Sequence, residues 1–324
     1  MYDVVGDTHG YAKKLDRLLV NMEYPLIGGE FAPHPEGRIL WFAGDYVNRG
    51  PESIELTQRI EGLFNRGIAK GVLGNHDYDV VLWATPDPRR PGEFLRPHAE
   101  AGYGERHGFL KALSADPELC KSTINFFKTL PLYLEQDNYR LVHACWHQES
   151  IDLLKRHDCM TDDGRLTEKG WRVGGDVGSP LKRAIDILLK GPQERLGEGL
   201  SYLDWDGKNQ DTARLAWWKE DAAIVGEAFS SSCFPDIRPF AALPYKQDEE
   251  TQITKEIRMG LRDLPADVKI FIGHIWESGD PKPLSDKVAC VDYGSGDHGK
   301  LVAYRTVRGE TELKARNFFW VPNL

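Results

Sequence analysis

Six side chains that could bind metal ions each follow a short apolar segment of the sequence. They are two aspartates, one asparagine and three histidines: Asp7, His9, Asp45, Asn75, His143 and His274. Carboxylates, imidazoles and an amide oxygen suit hard to borderline ions such as manganese, iron or zinc. Six donors exceed what one four-coordinate ion needs, so two ions that share a carboxylate are the simpler interpretation. Such a pair, about 3.5–4 Å apart, lowers the pKa of a bridging water and binds a phosphoryl group, which is the chemistry of phosphate ester hydrolysis.

The elements that must position these donors alternate along the chain. Apolar runs predict strands, and apolar residues three or four positions apart predict helices. The predicted strands are Tyr2–Val5, 39–43, 70–73, Tyr139–Val142, 268–272, 288–291 and 301–305, the last with a partner near 311–315. The predicted helices are 12–22 and 51–64, with Pro51 in the first turn of the second. This alternation indicates a layered α/β fold, in which the carboxyl ends of strands meet at one crevice and could bring distant donors together.

The stretch from residue 144 to residue 265 differs from the rest of the chain. Strands are hard to find there, glycine, proline and aspartate are frequent, and five tryptophans occur: Trp146, Trp171, Trp205, Trp217 and Trp218. We predict a mostly helical and looped cap at 148–265, inserted into a main domain formed by 1–147 and 266–324. The alternative is a second domain with no part in the site, because inserted segments often but not always carry specificity. The tryptophans could serve as core residues or as stacking surfaces.

Length and composition narrow the class of protein. A chain of 324 residues can bury a large core without disulfides, and its five cysteines lack CxxC spacing, which indicates thiols in a reducing compartment. The start of the sequence lacks a basic and apolar leader, and no run of about 18 apolar residues occurs, so we expect a cytoplasmic protein without a membrane span. The formal charge of -9 argues against broad nucleic-acid binding but is compatible with an anion in one cleft.

The order of the polar motifs resembles a known family. The motifs are GDTHG at 6–10, GDYVNRG at 44–50, GNHD at 74–77, His143, and GH at 273–274. They resemble the calcineurin-like metallophosphoesterases, in the branch of the serine/threonine phosphoprotein phosphatases and the symmetrical diadenosine tetraphosphatases. The resemblance covers roughly the first 147 residues and the last 57, where VDYG at 291–294 and GKLVA at 299–303 look like closing strands of that branch. The cap is not covered.

The resemblance implies a fold and a role for each site residue. The fold would be a four-layer α/β/β/α sandwich of two mixed sheets flanked by helices. Asp7 and His9 would bind the first metal, Asp45 would bridge both, and the second would be bound by Asn75, His143 and His274. His76 would donate a proton to the leaving oxygen, and the planar Arg49 guanidinium would bind phosphate oxygens. The two divalent ions would be manganese first, with Fe, Zn, Ni, Co or Mg as alternatives.

Two positions depart from the family pattern. Many relatives have an aspartate directly before the arginine, whereas this chain has Asn48, which we place in the catalytic site beside His76 and Arg49. His76 could therefore lack the carboxylate that keeps such a histidine protonated and oriented. Wider relatives end in GHxH, but here Trp276 stands where the second histidine would be. That substitution is typical of the phosphatase branch and argues against a nuclease.

Each motif alone has an ordinary structural explanation. GNHD could be only a turn, His143 a core histidine and Arg49 a helix cap or an ion-pair partner. The five motifs in order, each at a strand end, favour the metal site. The other histidines are assigned to surface or structural positions: His34, His98, His107, His147, His157 and His298. Arg89, Arg90 and Arg96 could recognise a polyphosphate, although a solvated loop is favoured.

The leading functional prediction is hydrolysis of a phosphomonoester, on a phosphoprotein or a small metabolite, by a metal-bridging hydroxide. The alternative substrate is a dinucleoside polyphosphate, because NFFKTLPL at 125–132 looks like the segment before the fourth strand of the tetraphosphatases. A hypothesis of another class is a non-catalytic scaffold with this fold, but such chains usually lose a ligand, and every ligand position is occupied here. The expected partner is a phosphorylated substrate, while nucleic acid is disfavoured and the sequence does not determine the oligomeric state.

Overall fold

The computed structural model describes residues 1–98, 107–203, 209–230, 241–247, 250–296 and 299–322. Trp205, Cys233 and His298 lie outside the described residues. The helices are α1 Ala12–Asn21, α2 Ser53–Asn65, α3 Asn75–Ala84, α4 His107–Ala115, α5 Pro117–Lys128, α6 Gln148–Arg156, α7 Glu168–Val173, α8 Pro180–Lys190, α9 Val225–Ala228 and α10 Gln252–Asp263. In this part of the chain no helix is both long and apolar enough to cross a bilayer.

Two mixed sheets form the centre of the molecule. The strands are β1 Tyr2–Val5, β2 Leu26–Ile27, β3 Glu30–Phe31, β4 Ile39–Phe42, β5 Ala69–Gly71, β6 Tyr133–Gln136, β7 Tyr139–Val142, β8 Gln193–Arg195, β9 Tyr202–Leu203, β10 Asn209–Gln210, β11 Thr212–Arg214, β12 Lys269–Ile272, β13 Val288–Cys290, β14 Asp292–Tyr293, β15 Lys300–Arg305 and β16 Phe318–Val321. The first sheet has the order β14-β15-β1-β4-β5, with β16 paired to β15, and the second has the order β13-β12-β7-β6. Strands β1, β4 and β5 are parallel, as are β7, β12 and β13, whereas β15 and β6 run antiparallel to their neighbours.

Alternation along the central strands explains the layers. In β1, Val4 belongs to a core cluster that also contains residues of the second sheet, whereas Val5 packs in the cluster that contains the helices. Phe271 of the second sheet and Tyr304 of the first have ring centroids 5.2 Å apart, so the two sheets pack face to face. Strands β1, β4 and β12 are thus buried on both faces, and their sequences are mostly apolar. The α/β/β/α sandwich expected from the resemblance is confirmed.

One predicted strand is wrong, and several helices were not predicted. The partner of β15 is β16 at Phe318–Val321, not residues 311–315. In 311–315 only Leu313 is buried, and the backbone N–H of Lys314 donates to the Tyr304 hydroxyl. This segment is therefore a connection, and a 3-10 turn leads from it into β16. Helix α3 escaped prediction because every residue from Asn75 to Leu82 is buried, which leaves no polar face to produce a helical period. Helix α2 begins at Ser53, so Pro51 precedes its first turn.

The segment predicted as a cap packs closely on the main core. It contains helices α6 to α10 and the short strands β8 to β11. The described tryptophans of the 144–265 stretch are buried: Trp146, Trp171, Trp217 and Trp218. Trp171 stacks on Tyr78 of α3 with ring centroids 5.5 Å apart, and the Trp217 indole N–H donates to the Ala144 carbonyl at 3.2 Å. The predicted boundaries of the cap stay a prediction, while these four tryptophans serve as core residues.

Candidate metal centre

The six predicted metal ligands gather at the carboxyl ends of the parallel strands. Asp7 and Asp45 follow β1 and β4, Asn75 begins α3 after β5, and His143 and His274 follow β7 and β12. The backbone N–H of His274 donates to Asp7 Oδ2 at 3.0 Å, which joins the ends of the two sheets. Residues from both halves of the sequence therefore form one buried cluster, as the placement of the motifs predicted.

Two groups of possible ligand atoms share one carboxylate. His9, Asp45 and His76 form the first group, and Asp45, His143 and His274 form the second; within each group the candidate ligand atoms lie within 4.8 Å of one another. His76 stands in the first group, where the resemblance places Asp7. A carboxylate common to both groups is the arrangement that a pair of bridged divalent ions requires.

Hydrogen bonds to backbone carbonyls orient two of the histidines. The Nδ1 atoms of His143 and His9 lie 2.7 and 3.2 Å from the carbonyl oxygens of Ala43 and Val47. A carbonyl only accepts, so each Nδ1 carries the proton, and in the neutral imidazole, the form that binds metal, each Nε2 keeps a lone pair. These Nε2 atoms lie 3.5 and 3.8 Å from the oxygens of Asp45. An Nε2 lone pair and a carboxylate oxygen that face each other are repulsive on their own. Both can bind a cation that lies between them.

Unsatisfied atoms and crowded charges also fit divalent ions. Asp7 Oδ1 and His274 Nε2 are buried and have no hydrogen-bond partner in the described part of the chain. Burial raises the pKa of Asp7 well above its usual range, and the nearby carboxylates of Asp292 and Asp45 raise it further. Burial lowers the pKa of His274 well below its usual value, with the Arg214 charge adding to the effect, so the imidazole is in its neutral, ligating form. The residues present therefore fit a pair of metal ions.

The charge of Asp45 is supported by its surroundings. Burial raises the pKa of this carboxyl, but the neighbouring histidines in their protonated forms, His143 first and His76 next, hold it well below its usual range. Asp45 Oδ1 also accepts a hydrogen bond from the backbone N–H of His76 at 2.8 Å. Asp45 is therefore an anion fixed in position between the two groups of donors.

The backbone at the site is held in a rarely populated conformation. Several site residues have a positive φ: 44° at His9, 51° at Asp45, 72° at Asn48, 64° at Arg49 and 58° at His274. Residues other than glycine seldom adopt this region, and the surrounding structure must offset the strain. Gly273 shows how close the packing is, because a Cβ at this position would overlap Asp7 Oδ1. The cluster is thus preorganised by the fold.

Asp77 has a role that the motif did not reveal. Its carboxylate accepts hydrogen bonds from the backbone N–H groups of Asp45 at 2.8 Å, Tyr46 at 3.0 Å and Gly74 at 3.0 Å. The side chain is fully buried. It joins the loop after β4 to the start of α3 and so fixes the spacing between Asp45 and Asn75.

Replacement of Asp77 by Ala is expected to destabilise the fold and loosen the site. Three buried N–H groups would lose their acceptor, which should lower the free energy of unfolding by about 2–4 kcal/mol. Urea unfolding of the chelator-treated protein measures this loss without a contribution from bound metal. Asp263→Ala, at an exposed position, is the control and should change stability little. Equal stability of the two variants would contradict the proposed role of Asp77 in joining the loop after β4 to the start of α3.

His76, Asn48 and Arg49 lie together on one side of the cluster. Asn48 Nδ2 is 2.9 Å from His76 Nδ1, and Asn48 Oδ1 is buried without a partner in the described residues. Rotation of this amide by 180° would direct Oδ1 at the imidazole as an acceptor, and the shape of the side chain is the same in both orientations. Asn48 therefore occupies the position at which relatives present a carboxylate. Arg49 is exposed, as a group that contacts a substrate must be.

Other residues considered from the sequence lie outside the cluster. Arg89 and Arg90 both bond to Asp87, with their Nε atoms 2.9 and 3.0 Å from its oxygens, and Arg96 pairs with Asp79. These arginines are held by the chain's own carboxylates, which supports the loop interpretation over a polyphosphate site. Among the other histidines, His34 and His147 are buried, His98 stacks between Trp83 and Phe94, and His157 is exposed. The side chain of His107 lies outside the described residues.

A match to a family model shows the family of this chain. Residues 2–221 match the family described as calcineurin-like phosphoesterase. The asymmetrical bis(5'-nucleosyl)-tetraphosphatase PrpE of Bacillus subtilis is 30% identical over 145 residues, which are 44% of this chain and 56% of that protein. The symmetrical bis(5'-nucleosyl)-tetraphosphatase of Nitrosococcus oceani is 25% identical over 316 residues, 95% of this chain and 94% of that protein. A serine/threonine phosphatase structure from Saccharomyces cerevisiae has a TM-score of 0.46 and 15% identity, covering 99% of this chain and 78% of that chain.

Proposed function

Because the chain belongs to the calcineurin-like phosphoesterase family, and is therefore a hydrolase, we propose that it cleaves phosphate esters at the metal centre described above. The observation that carries the proposal is the pair of donor groups that share Asp45. Asp7 and His9 would bind one ion, Asn75, His143 and His274 the other, and Asp45 both. When bound, two such ions supply an activated water and neutralise charge on the phosphoryl group. Manganese is the proposed metal, on the basis of the mixed carboxylate and imidazole ligands.

One arginine charge acts on each group of donors. The Arg49 charge adds to burial in lowering the pKa of His9, and the Arg214 charge adds to burial in lowering the pKa of His274. Guanidinium groups bind phosphate oxygens in a planar fork and stay charged. We propose that both orient the phosphoryl group. Arg214 was not found from the sequence, because it belongs to a segment without a motif.

Replacement of Arg214 by Ala should weaken phosphate binding without removing metal. A charge-assisted hydrogen bond contributes about 1.5–3 kcal/mol, so KM for nitrophenyl phosphate and the inhibition constant of inorganic phosphate should rise by at least about tenfold. Arg195 is a matched control, because it is exposed on β8, the strand paired with β11. Loss of metal from Arg214→Ala, or the same change in Arg195→Ala, would show that Arg214 acts through the fold and not on phosphate.

Two substrate classes are supported about equally. A phosphomonoester needs only the dinuclear centre and the two arginines. A dinucleoside polyphosphate is supported by the symmetrical tetraphosphatase that matches nearly its whole length and that of this chain. The match to PrpE spans about half of that protein, at 56%, so its named activity transfers only as a proposal. Both reactions would use the same ligands, and selectivity must arise from residues around them.

Metal analysis followed by a substrate panel tests the proposal. We expect about two divalent ions per chain after reconstitution with Mn²⁺ and turnover that chelators remove. Nitrophenyl phosphate, a phosphopeptide and diadenosine tetraphosphate compared side by side identify the preferred class. Two bound ions with no turnover on any of the three would contradict the proposed activity and favour the scaffold hypothesis.

A further inference from the structure

Trp276 is the motif residue for which the metal centre gives no role. It stands two positions after His274, so its Cα lies within about 7 Å of the Cα of that ligand. The side chain is half-buried, and Gly294 packs against the six-membered ring, because a Cβ at position 294 would overlap Trp276 Cε3. Gly294 also has a φ of +70°, so two constraints favour glycine behind the indole.

The loop behind Trp276 contacts residues of the metal centre. Ser295 donates through its hydroxyl to the carbonyl of Asp7, and a Cβ at Gly296 would overlap the Arg49 side chain. The buried ammonium of Lys14 donates to the Ser295 carbonyl at 2.6 Å, which holds this loop in place. The loop therefore contacts Trp276 through Gly294 and residues of the metal centre through Ser295 and Gly296, so Trp276 and the centre are neighbours in the fold.

Trp276 lines a cavity of about 510 Å³, within the usual range of small-molecule sites. Tyr293 supplies a second aromatic ring, and Glu277, Ser278 and Asp280 supply polar groups. The cavity also contains Lys300, but its ammonium already donates to the Gly279 carbonyl at 2.9 Å and to Asp280 at 3.1 Å. Carboxylates thus outnumber the ammonium, so the cavity is poorly suited to a second phosphate.

We propose that this cavity binds a nucleobase of the substrate, with Trp276 as the stacking surface. An amino-bearing base has a flat face that stacks on aromatic rings and an exocyclic N–H edge that donates to carboxylates such as Glu277. One nucleotide can then place its base in the cavity and its phosphate at the metal centre. The inference rests on the proposed phosphoesterase function and selects nucleotide substrates, including dinucleoside polyphosphates, over phosphoproteins.

Equilibrium binding separates this inference from the proposed activity. The probes are α,β-methylene-ADP and methylenediphosphonate, two non-hydrolysable ligands that differ in the nucleoside, titrated calorimetrically into the Mn²⁺-loaded protein. Trp276→Ala should weaken the nucleotide by about 5- to 150-fold, the range measured for one base–aromatic stack, and change the diphosphonate by less than about twofold. Trp276→Phe should restore much of the loss. Trp320→Ala removes another partly exposed tryptophan, 4.2 Å from the Lys300 ammonium, and should leave both affinities intact.

Three results would overturn the inference. The first is equal affinity of the unsubstituted protein for the two probes, and the second is an equal loss for both probes in Trp276→Ala at unchanged metal content. The third is weaker binding of a phosphotyrosine peptide to that variant with nucleotide binding intact, which would assign the cavity to a peptide side chain. If nucleotide binding depends on Trp276 but nitrophenyl phosphate is not turned over, the proposed hydrolysis fails while the base site stands.

Discussion

Replacement of Asp45 by Asn is expected to abolish turnover and to lower bound metal from about two ions per chain. Asp45 is the only residue common to the two groups of donors found in the described part of the chain, and its oxygens lie 3.5 Å from His143 Nε2 and 3.8 Å from the Nε2 atoms of His9 and His76. A neutral amide cannot hold two dications together as a bridging carboxylate does. Removing a residue that only supports a metal ligand typically lowers metal affinity by about 10- to 100-fold. Because Asp45 would be a ligand itself, the loss in Asp45→Asn should exceed that range.

The fold should tolerate this exchange, which makes the result interpretable. Asparagine adopts the left-handed conformation more readily than most residues, and position 45 has a φ of 51°. An amide oxygen at Oδ1 can still accept the hydrogen bond from the His76 backbone N–H. Metal content by mass spectrometry, kcat and thermal unfolding of the chelated protein should be measured together. Asp163→Asn, at an exposed position, is the control. Full activity of Asp45→Asn after removal of excess metal would place the active site elsewhere.

The convergence of the candidate metal ligands could be predicted from the sequence because most of them follow a short strand whose last residues are buried. Strands β1, β4, β7 and β12 each end in buried apolar residues, so their ends are clear in the sequence, and polar residues there converge wherever strands are parallel. The side-chain donors Asp7, Asp45 and His143 required no knowledge of register. Their pairing into two groups with a shared carboxylate is a geometric result that sequence alone only suggested.

Other parts of the site could not be predicted, for identifiable reasons. Arg214, whose charge lowers the pKa of His274, belongs to β11, a three-residue strand in a segment without periodicity. The three backbone donors of Asp77 depend on a loop conformation that residue types do not specify. In the sequence, Trp276 was notable only because it replaces a histidine of the family pattern. Its cavity depends on Tyr293 and Gly294, which the pairing of β14 with β15 brings beside it. Contacts of this kind follow from tertiary packing and not from local sequence.

Exchange of His76 for Asn or Gln should lower kcat while leaving metal content nearly intact. His76 has two possible roles, because its Nε2 lies 3.8 Å from Asp45 Oδ2 in the first group of donors, whereas the resemblance assigns it to the leaving group. A ligand role predicts loss of about one ion per chain. A proton-donor role predicts two retained ions and a rate loss of about 10²- to 10⁴-fold. Metal content therefore separates the two roles before any kinetic argument is needed.

The dependence on leaving group then tests the proton transfer itself. An alkyl phosphate must release an alkoxide, which needs a proton, so the His76 variants should lose most of their rate on that substrate. A nitrophenyl phosphate releases an anion that leaves unaided, so the loss there should be small. Asn48→Ala should also lower both rates, but by less than the His76 variants do. Asn48 only contacts His76 Nδ1, at 2.9 Å, and would act by positioning the ring. Equal losses on the two substrates would mean that His76 orients phosphate or water, and the proton donor would then have to be another group near the centre.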